Sequence, residues 1–321
     1  MLIVSFVGYC LGFATLAGFF GRSWWVLDLF AGFRHQLAAG LIICALVAAL
    51  ARWRKTAAAI GLLALVNLAL VVPLYVGPSR PASGELRVLS FNVLASNRRF
   101  ADVIDFIRAS DANVVVLHEV TSRWERAIDE AAETFDDWPY EITKGRARGD
   151  LFGSMVLVEP GAVVESFGFA LTDPRAIEIL LPDGVALLAI HPLSPSSEFR
   201  AQQNDRQLRF AADWAAGRDE HAVVVGDFNA TPWSYPFRRL MAATDLSNSA
   251  RGFGLDLTYP ADGNPLFRVP IDHLIFSDGL AVVDRRLGPA IGSDHFPLTV
   301  DLAFVATSES VSEDAADPPT D

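Results

Sequence analysis

Within its first 79 residues the chain has three stretches without a charged side chain, at 2–21, 35–51 and 56–79, the last thinning out near Tyr75. Each reaches or approaches the ~20 apolar residues that carry a helix across a bilayer. Nothing else in the sequence limits the fold as much, because such segments need lipid or a bundle partner around them. The first stretch has neither a charged leader nor a small-residue cleavage site, so it is expected to be retained as an anchor rather than removed. Trp24, Trp25, Trp53 and Tyr75 sit near the segment ends, where interfacial aromatics collect. Gly8 and Gly12 offer a helix-packing face, although small residues are common in such helices.

Charge divides the chain at the same place. Of its 26 basic and 38 acidic residues, six and one lie before Gly84, leaving 20 against 37 beyond it. Residues 1–79 are therefore expected to form a three-helix transmembrane anchor, with the lipid bilayer as its partner. A linker at 80–85 follows, and an acidic domain at 86–305. Residues 306–321 hold five acids among Ser, Thr and Pro and are expected to be disordered. Arg52, Arg54 and Lys55 fall in the second short loop, which by the positive-inside rule faces the cytoplasm. The chain is then a multi-pass protein of the cell (inner) membrane with its acidic domain on the extracytoplasmic face. Cys10 and Cys44 both lie in the anchor, so the domain has no disulfide framework, thiolate zinc site or cysteine nucleophile.

The domain reads as α/β. Apolar runs predict strands at 87–93, 113–117, 154–158, 177–181, 185–190, 222–225 and 296–304. Helical stripes run through Phe100, Val103, Ile104 and Ile107, and through Gln207, Phe210 and Trp214. Ser122 and Glu125 have capping-box spacing before a helix that turns Trp124, Ile128 and Phe135 inward. Polar residues interrupt or end these runs at six stations: Asn92; His118 and Glu119; His191; Asp227 and Asn229; Asp272 and His273; and Ser293, Asp294 and His295. Any one of them reads as a turn former or cap. Together they are what an α/β active site needs, since loops at strand ends converge on one crevice. His118, His273 and the basic stretch Lys144, Arg146 and Arg148 are expected to be structural or solvated.

In order along the chain, Ser90-Phe91-Asn92, Glu119, His191-Pro192, Gly226-Asp227-Phe228-Asn229, Ile271-Asp272-His273 and Gly292-Ser293-Asp294-His295 resemble the endonuclease/exonuclease/phosphatase superfamily of deoxyribonuclease-I-like phosphoesterases. The resemblance covers about 86–304, and the anchor looks like that of a bacterial membrane-bound branch. It implies a four-layer α/β sandwich with a Mg²⁺ (or Mn²⁺) site at one edge. Glu119 would bind the metal with Asn92 and Asp294 beside it. Asp227 would orient and deprotonate the attacking water, and Asn229 would hold that water or a phosphate oxygen. His295, oriented by Asp272, would stabilise phosphoryl charge. His191 would contact the phosphate or protonate the leaving group. His118 stands where many members have Gln, and His191 where abasic-site endonucleases use Tyr.

The implied function is hydrolysis of a phosphodiester or phosphomonoester, with a nuclease-type substrate ranked first and a phospholipid or inositol-phosphate headgroup second. No obligate protein partner is implied. Without the tail the domain has 32 acids against 20 bases, which disfavours tight binding along a duplex. A catalytically silent binding domain would be expected to have lost one of the key polar residues, and none is lost. A serine hydrolase would need Gly-x-Ser-x-Gly, which is absent.

Overall fold

Runs such as Val114, Val115 and Val116 have no polar alternation, so they suit strands buried on both faces. In the computed structural model, which describes residues 2–145, 153–167, 176–218 and 221–305, they build two six-stranded mixed sheets. The first sheet contains β1 (Leu86–Asn92), β2 (Val114–Val120), β3 (Glu141–Gly145), β4 (Gly153–Val158), β11 (Leu280–Leu287) and β12 (Leu298–Phe304). Its order is β11-β12-β1-β2-β4-β3. The second contains β5 (Val163–Phe167), β6 (Ala176–Leu180), β7 (Val185–Ala189), β8 (His221–Asp227), β9 (Ser247–Asn248) and β10 (Asp272–Phe276), in the order β5-β6-β7-β8-β10-β9. Pairing is parallel between β1 and β2 and between β7 and β8, and antiparallel elsewhere.

One core lies between the sheets, where Val88, Val116 and Val300 meet Ile179, Leu187, Val225 and Leu274. A second joins the first sheet to α5 (Phe100–Ala109) and α6 (Ser122–Thr134) through Leu89, Leu117, Ile107, Trp124 and Ile128. A third joins the second sheet to α7 (Glu198–Ala216) and α8 (Tyr235–Ala242) through Leu188, Val224, Leu208 and Phe237. The result is the expected helix–sheet–sheet–helix sandwich. The capping box does not form. Thr121 is the N-cap of α6, Ser122 is already helical, and the Thr121 side chain makes no cap hydrogen bond. The tail at 306–321 and Arg146 and Arg148 lie outside the described residues.

Before the sandwich come α1 (Leu2–Ala17), the single turn α2 (Trp25–Asp28), α3 (Arg34–Leu50) and α4 (Arg54–Val71). Trp25–Leu50 and Arg54–Tyr75 are long and apolar enough to cross a membrane, whereas the remaining apolar helix, Ile3–Ala17, is shorter. The sequence reading extends the first stretch to Gly21, but the chain leaves the helix at Gly18 and continues in turns through Phe20 and Ser23. A Cβ on Gly8 would lie 2.4 Å from Ile60 Cδ1, and one on Gly12 2.7 Å from Leu63 Cδ1, so the glycine pair does let α1 approach α4 closely. Asn67 donates to Thr15 Oγ1 at 2.8 Å and buried Arg34 donates to Thr15 O at 2.8 Å, a polar tie across all three helices.

The bundle is docked on the sandwich. Trp233 Nε1 donates to Leu70 O at 2.9 Å, and the N–H groups of Gly252 and Gly254 each donate to Leu74 O at 2.8 Å. Asp28 Oδ1 accepts from Tyr235 N at 2.7 Å, and Gln36 Nε2 donates to Arg268 O at 2.8 Å. Ala31, Val71, Leu74, Trp233 and Ala250 close a small apolar core at this joint. The loop between α1 and α3 and the end of α4 therefore meet the sandwich, and the loop between α3 and α4 is at the other end of the bundle.

Candidate active site

Strand register brings the stations together. The parallel pairing of β1 with β2 sets Asn92 beside His118, and the antiparallel pairing of β8 with β10 sets Asp227 beside Asp272. β1 and β2 pack over β8, so the ends of both sheets face one cleft. Two of the site residues depend on unusual backbone. Between His118 and Val120 the β2–β4 register shifts, and the unpaired residue is Glu119, at φ 58°. A bulge of this kind turns a side chain out of the sheet alternation. Asn229 is at φ 49°. Strained backbone at both positions is the pattern seen where function outweighs local preference. Gly226, at φ +144°, is obligatory, since a Cβ there would lie 2.0 Å from Ile190 O and 2.6 Å from His118 Nε2.

At the floor of the cleft, His295 Nδ1 bonds Asp272 Oδ2 at 2.9 Å while its Nε2 faces Asp227 Oδ2 at 3.6 Å. Burial alone would discharge this imidazole, but Asp272 and Asp227 on either side push its pKa up to about 10. Burial would likewise raise Asp227. The positive charge of His295, the hydrogen bond and charge of His191 (Nε2 at 3.4 Å) and the Asn229 N–H at 2.9 Å outweigh it and hold the carboxyl well below the usual range. Asp272 is raised, mainly by burial. The two carboxylates thus differ: Asp227, though only 1% exposed, lines the cleft and is held ionised, and Asp272 lies wholly buried behind the imidazole.

Asn92 donates from Nδ2 to Asp227 Oδ2 at 3.1 Å and to Glu119 Oε1 at 3.3 Å, while its Oδ1 accepts from Leu94 N at 3.1 Å. So oriented, Asn92 holds two carboxylates in place and keeps its oxygen on the backbone. Glu119 Oε2 accepts from Ala95 N at 3.1 Å. Asp294 is half-buried, and its Oδ1 is buried without accepting a hydrogen bond. Burial raises its pKa, with the negative charge of Glu119 adding to the effect and His295 opposing it. Glu119 and Asp294 are near enough for their charges to interact, and the unbonded carboxylate oxygen of Asp294 suits a hard divalent cation. Asp227, Asp272 and His295 also come within 4.8 Å of one another. There the imidazole is charged and already bonded to a carboxylate, which suits proton control better than ligation.

Asn92, Glu119, His191, Asp227, Asn229, Asp294 and His295 all line one cleft of about 700 Å³. His118 is fully buried beneath it. Its Nδ1 lies 2.9 Å from Ser154 Oγ, and burial first, then the neighbouring His191, keeps it well below its ordinary pKa. His273 is buried between Phe228 and Phe237, with Nε2 2.8 Å from Ala230 O. Several positioning residues escape sequence reasoning. Asn204 on α7 donates to Leu193 O and Phe228 O, pinning the loops of His191 and Asn229. Thr258 Oγ1 accepts from Asp272 N, and the Tyr259 ring lies 4.9 Å from His295. Asn204 carries no signal of its own on a polar helix, whereas Ser293 was at least within a motif. Its Oγ donates to Asn92 O at 2.6 Å and accepts from His295 N at 3.0 Å, linking the stations contributed by β1 and the last loop.

The sandwich is similar to several solved structures. D. rerio TDP2 complexed with single strand DNA product matches with a TM-score of 0.55 at 14% identity, over 68% of this chain and 98% of that one. The human Nocturnin catalytic domain with bound sulfate matches at 0.51 and 17%, over 68% and 94%. The mannosyl-6-phosphatase Bt3783 of Bacteroides thetaiotaomicron matches at 0.50 and 16%, over 68% and 100%. At these identities the likeness is one of fold. Among curated proteins none matches the sequence. The profile of the Endonuclease/Exonuclease/phosphatase family, however, matches residues 89–295, from the strand that carries Asn92 to His295 itself, and the chain belongs to that family.

Proposed function

We propose that the protein is a membrane-anchored, divalent-metal-dependent phosphoesterase. The observation that carries this reading is the convergence, in one cleft, of Asp227 and His295, whose Nε2 lies 3.6 Å from Asp227 Oδ2 while its Nδ1 bonds Asp272 Oδ2 at 2.9 Å. Glu119 and Asp294 would hold Mg²⁺ or Mn²⁺, and Asn92 would fix Glu119 rather than ligate as the resemblance implies. The cation would neutralise phosphoryl oxygens and acidify water. Asp227 orients the attacking water and receives its proton. Asn229, whose Nδ2 bonds Pro192 O at 3.0 Å, places the backbone N–H that keeps Asp227 aimed. His295 places positive charge beside the phosphoryl oxygens, as preorganised catalysis requires. His191, which lines the same cleft, would donate the proton to the leaving-group oxygen.

The apolar bundle supports anchoring, with α1 as a third, shorter membrane helix. The basic loop at 52–55 supports an extracytoplasmic domain. The full chain in detergent is expected to hydrolyse bis-p-nitrophenyl phosphate with Mg²⁺ or Mn²⁺ and to stop with EDTA. Asp227→Ala and His295→Ala should each lose about 10²–10⁴-fold in kcat. Turnover that survives EDTA or either substitution would sink the assignment.

A further inference from the structure

The catalytic cleft is not walled by the family domain alone. Opposite Asn92, Asp227 and His295 it is bounded by the stretch between α1 and α3, with Arg22, Trp24, Trp25, Leu29 and Phe33 on its lining. Residues of the N-terminal bundle therefore line the same cleft as the polar residues of the sandwich. Three observations say what this wall is for. First, although Arg22, Ser23 and Asp28 also line it, its large side chains Trp24, Trp25, Leu29 and Phe33 are apolar and aromatic, while Asp227 and His295 lie on the other side. Trp24 is 55% exposed and Leu29 43%, and neither is consumed by packing. Second, the wall joins Trp25–Leu50, a stretch fit to cross a membrane, so the mouth sits where a bilayer would present its headgroups. Third, Leu266 and Phe267 on the sandwich are 73% and 63% exposed, next to Arg268, whose carbonyl is bonded by Gln36 of α3. An apolar pair beside the head of the bundle is costly in water and favourable in an interface.

We infer that the substrate is a phospholipid-class phosphoester whose phosphate reaches Asp227 and His295 while its apolar part lies against residues 21–33. This rests on the phosphoesterase reading and reverses the substrate order expected from sequence. An extended nucleic acid needs an open basic track; here the anchor closes one side of the cleft and the domain is acidic. In the reaction the water oxygen bonds to phosphorus, the bond from phosphorus to the leaving alcohol oxygen breaks, and one proton ends on that alcohol.

The test uses the full chain in mixed micelles with Mg²⁺ or Mn²⁺. Phosphatidylethanolamine, phosphatidylglycerol and phosphatidylinositol are each compared with the matching glycerophospho-headgroup lacking acyl chains, beside single-stranded DNA and bis-p-nitrophenyl phosphate. At least one lipid should exceed its deacylated partner and the DNA by about tenfold or more in kcat/KM, the scale expected from burying one large apolar group. Trp24→Glu and Leu29→Glu should cut the ratio of lipid to bis-p-nitrophenyl phosphate turnover by about tenfold, and Trp24→Phe should keep it. Because both side chains are exposed, these variants are expected to fold. Turnover of DNA or bis-p-nitrophenyl phosphate without any lipid preference, or a ratio indifferent to the wall variants, overturns the inference and leaves the phosphoesterase standing. Turnover of nothing, with metal present, overturns both.

Discussion

His273 shows how a residue beside the site can be read as structural and still have a measurable consequence. Its ring is buried against Phe228 and Phe237, and burial, helped by Arg285 and opposed by Asp227 and the Ala230 carbonyl, lowers its pKa to about 3. In the unfolded chain a histidine titrates near 6.5. Between those values the unfolded state binds a proton that the folded state refuses, so this residue's contribution is intact above about pH 6.5 and is lost as the pH falls. The slope is at most one proton, about 1.4 kcal/mol per pH unit. His273→Gln should flatten the decline in urea midpoint of the full chain in detergent between pH 6.5 and 4. An unchanged slope would mean that the ring is not held neutral. At the residue scale, which strand-end side chains share a cleft was legible in the sequence, and how they are oriented there was not. Asn92, Glu119, Asp227 and His295 stand out in sequence because polar groups at the ends of apolar runs need a reason. Which atom of Asn92 faces the carboxylates depends on the Leu94 N–H, and that geometry has no signature in composition.

Among the elements, strands buried on both faces are the legible ones. β1, β2, β4, β6, β7, β8 and β12 are mostly apolar, with no more than one charged residue inside the run of β1, β6 and β12, and each falls within a few residues of its expected span. β3 and β11 were not marked out, because paired charges break their runs, Glu141 with Lys144 and Asp284 with Arg285 and Arg286, and β5 was also missed although its one charge, Glu165, matches the one that β6 carries at Glu178. Such charges are tolerated because β3, β5 and β11 are edge strands, where one side faces no partner. β10 hid for another reason, since its apolar run is only three residues long after Asp272 and His273. The capping motif at Ser122 failed because sequence spacing does not say where helical backbone begins. The stripe it announced was sound, and Trp124 is fully buried, edge-on to Phe100 with ring centroids 4.5 Å apart. Trp124→Ala should therefore cost about 3–5 kcal/mol of unfolding free energy, read as a lower urea midpoint for the sandwich. A loss under 1 kcal/mol would mean that α6 does not rely on this anchor.

For the whole molecule, division into a greasy basic part and an acidic α/β part is visible in charge alone, but their union is not. The bonds from Trp233 to Leu70 and from Gly252 and Gly254 to Leu74 join segments more than 160 residues apart, and no local pattern announces them. They place the loop at 22–33 at the sandwich end of the bundle and the loop at 51–53 at the far end. In a Cys10→Ser, Cys44→Ser background, Ser23→Cys should react with an impermeant maleimide from the side that exposes the sandwich to protease, and Ala51→Cys only from the other. Labelling of both from one side would contradict a membrane-crossing bundle. If the bundle crosses, the joint at Leu70 and Leu74 acts as a ruler. It sets the catalytic floor at one height above the acyl chains and allows little slack. Such an enzyme would sense bilayer thickness: a membrane that tilts or sinks the helices would carry the reactive groups past the plane of the phosphates, and turnover would change with acyl-chain length even for one unchanged headgroup.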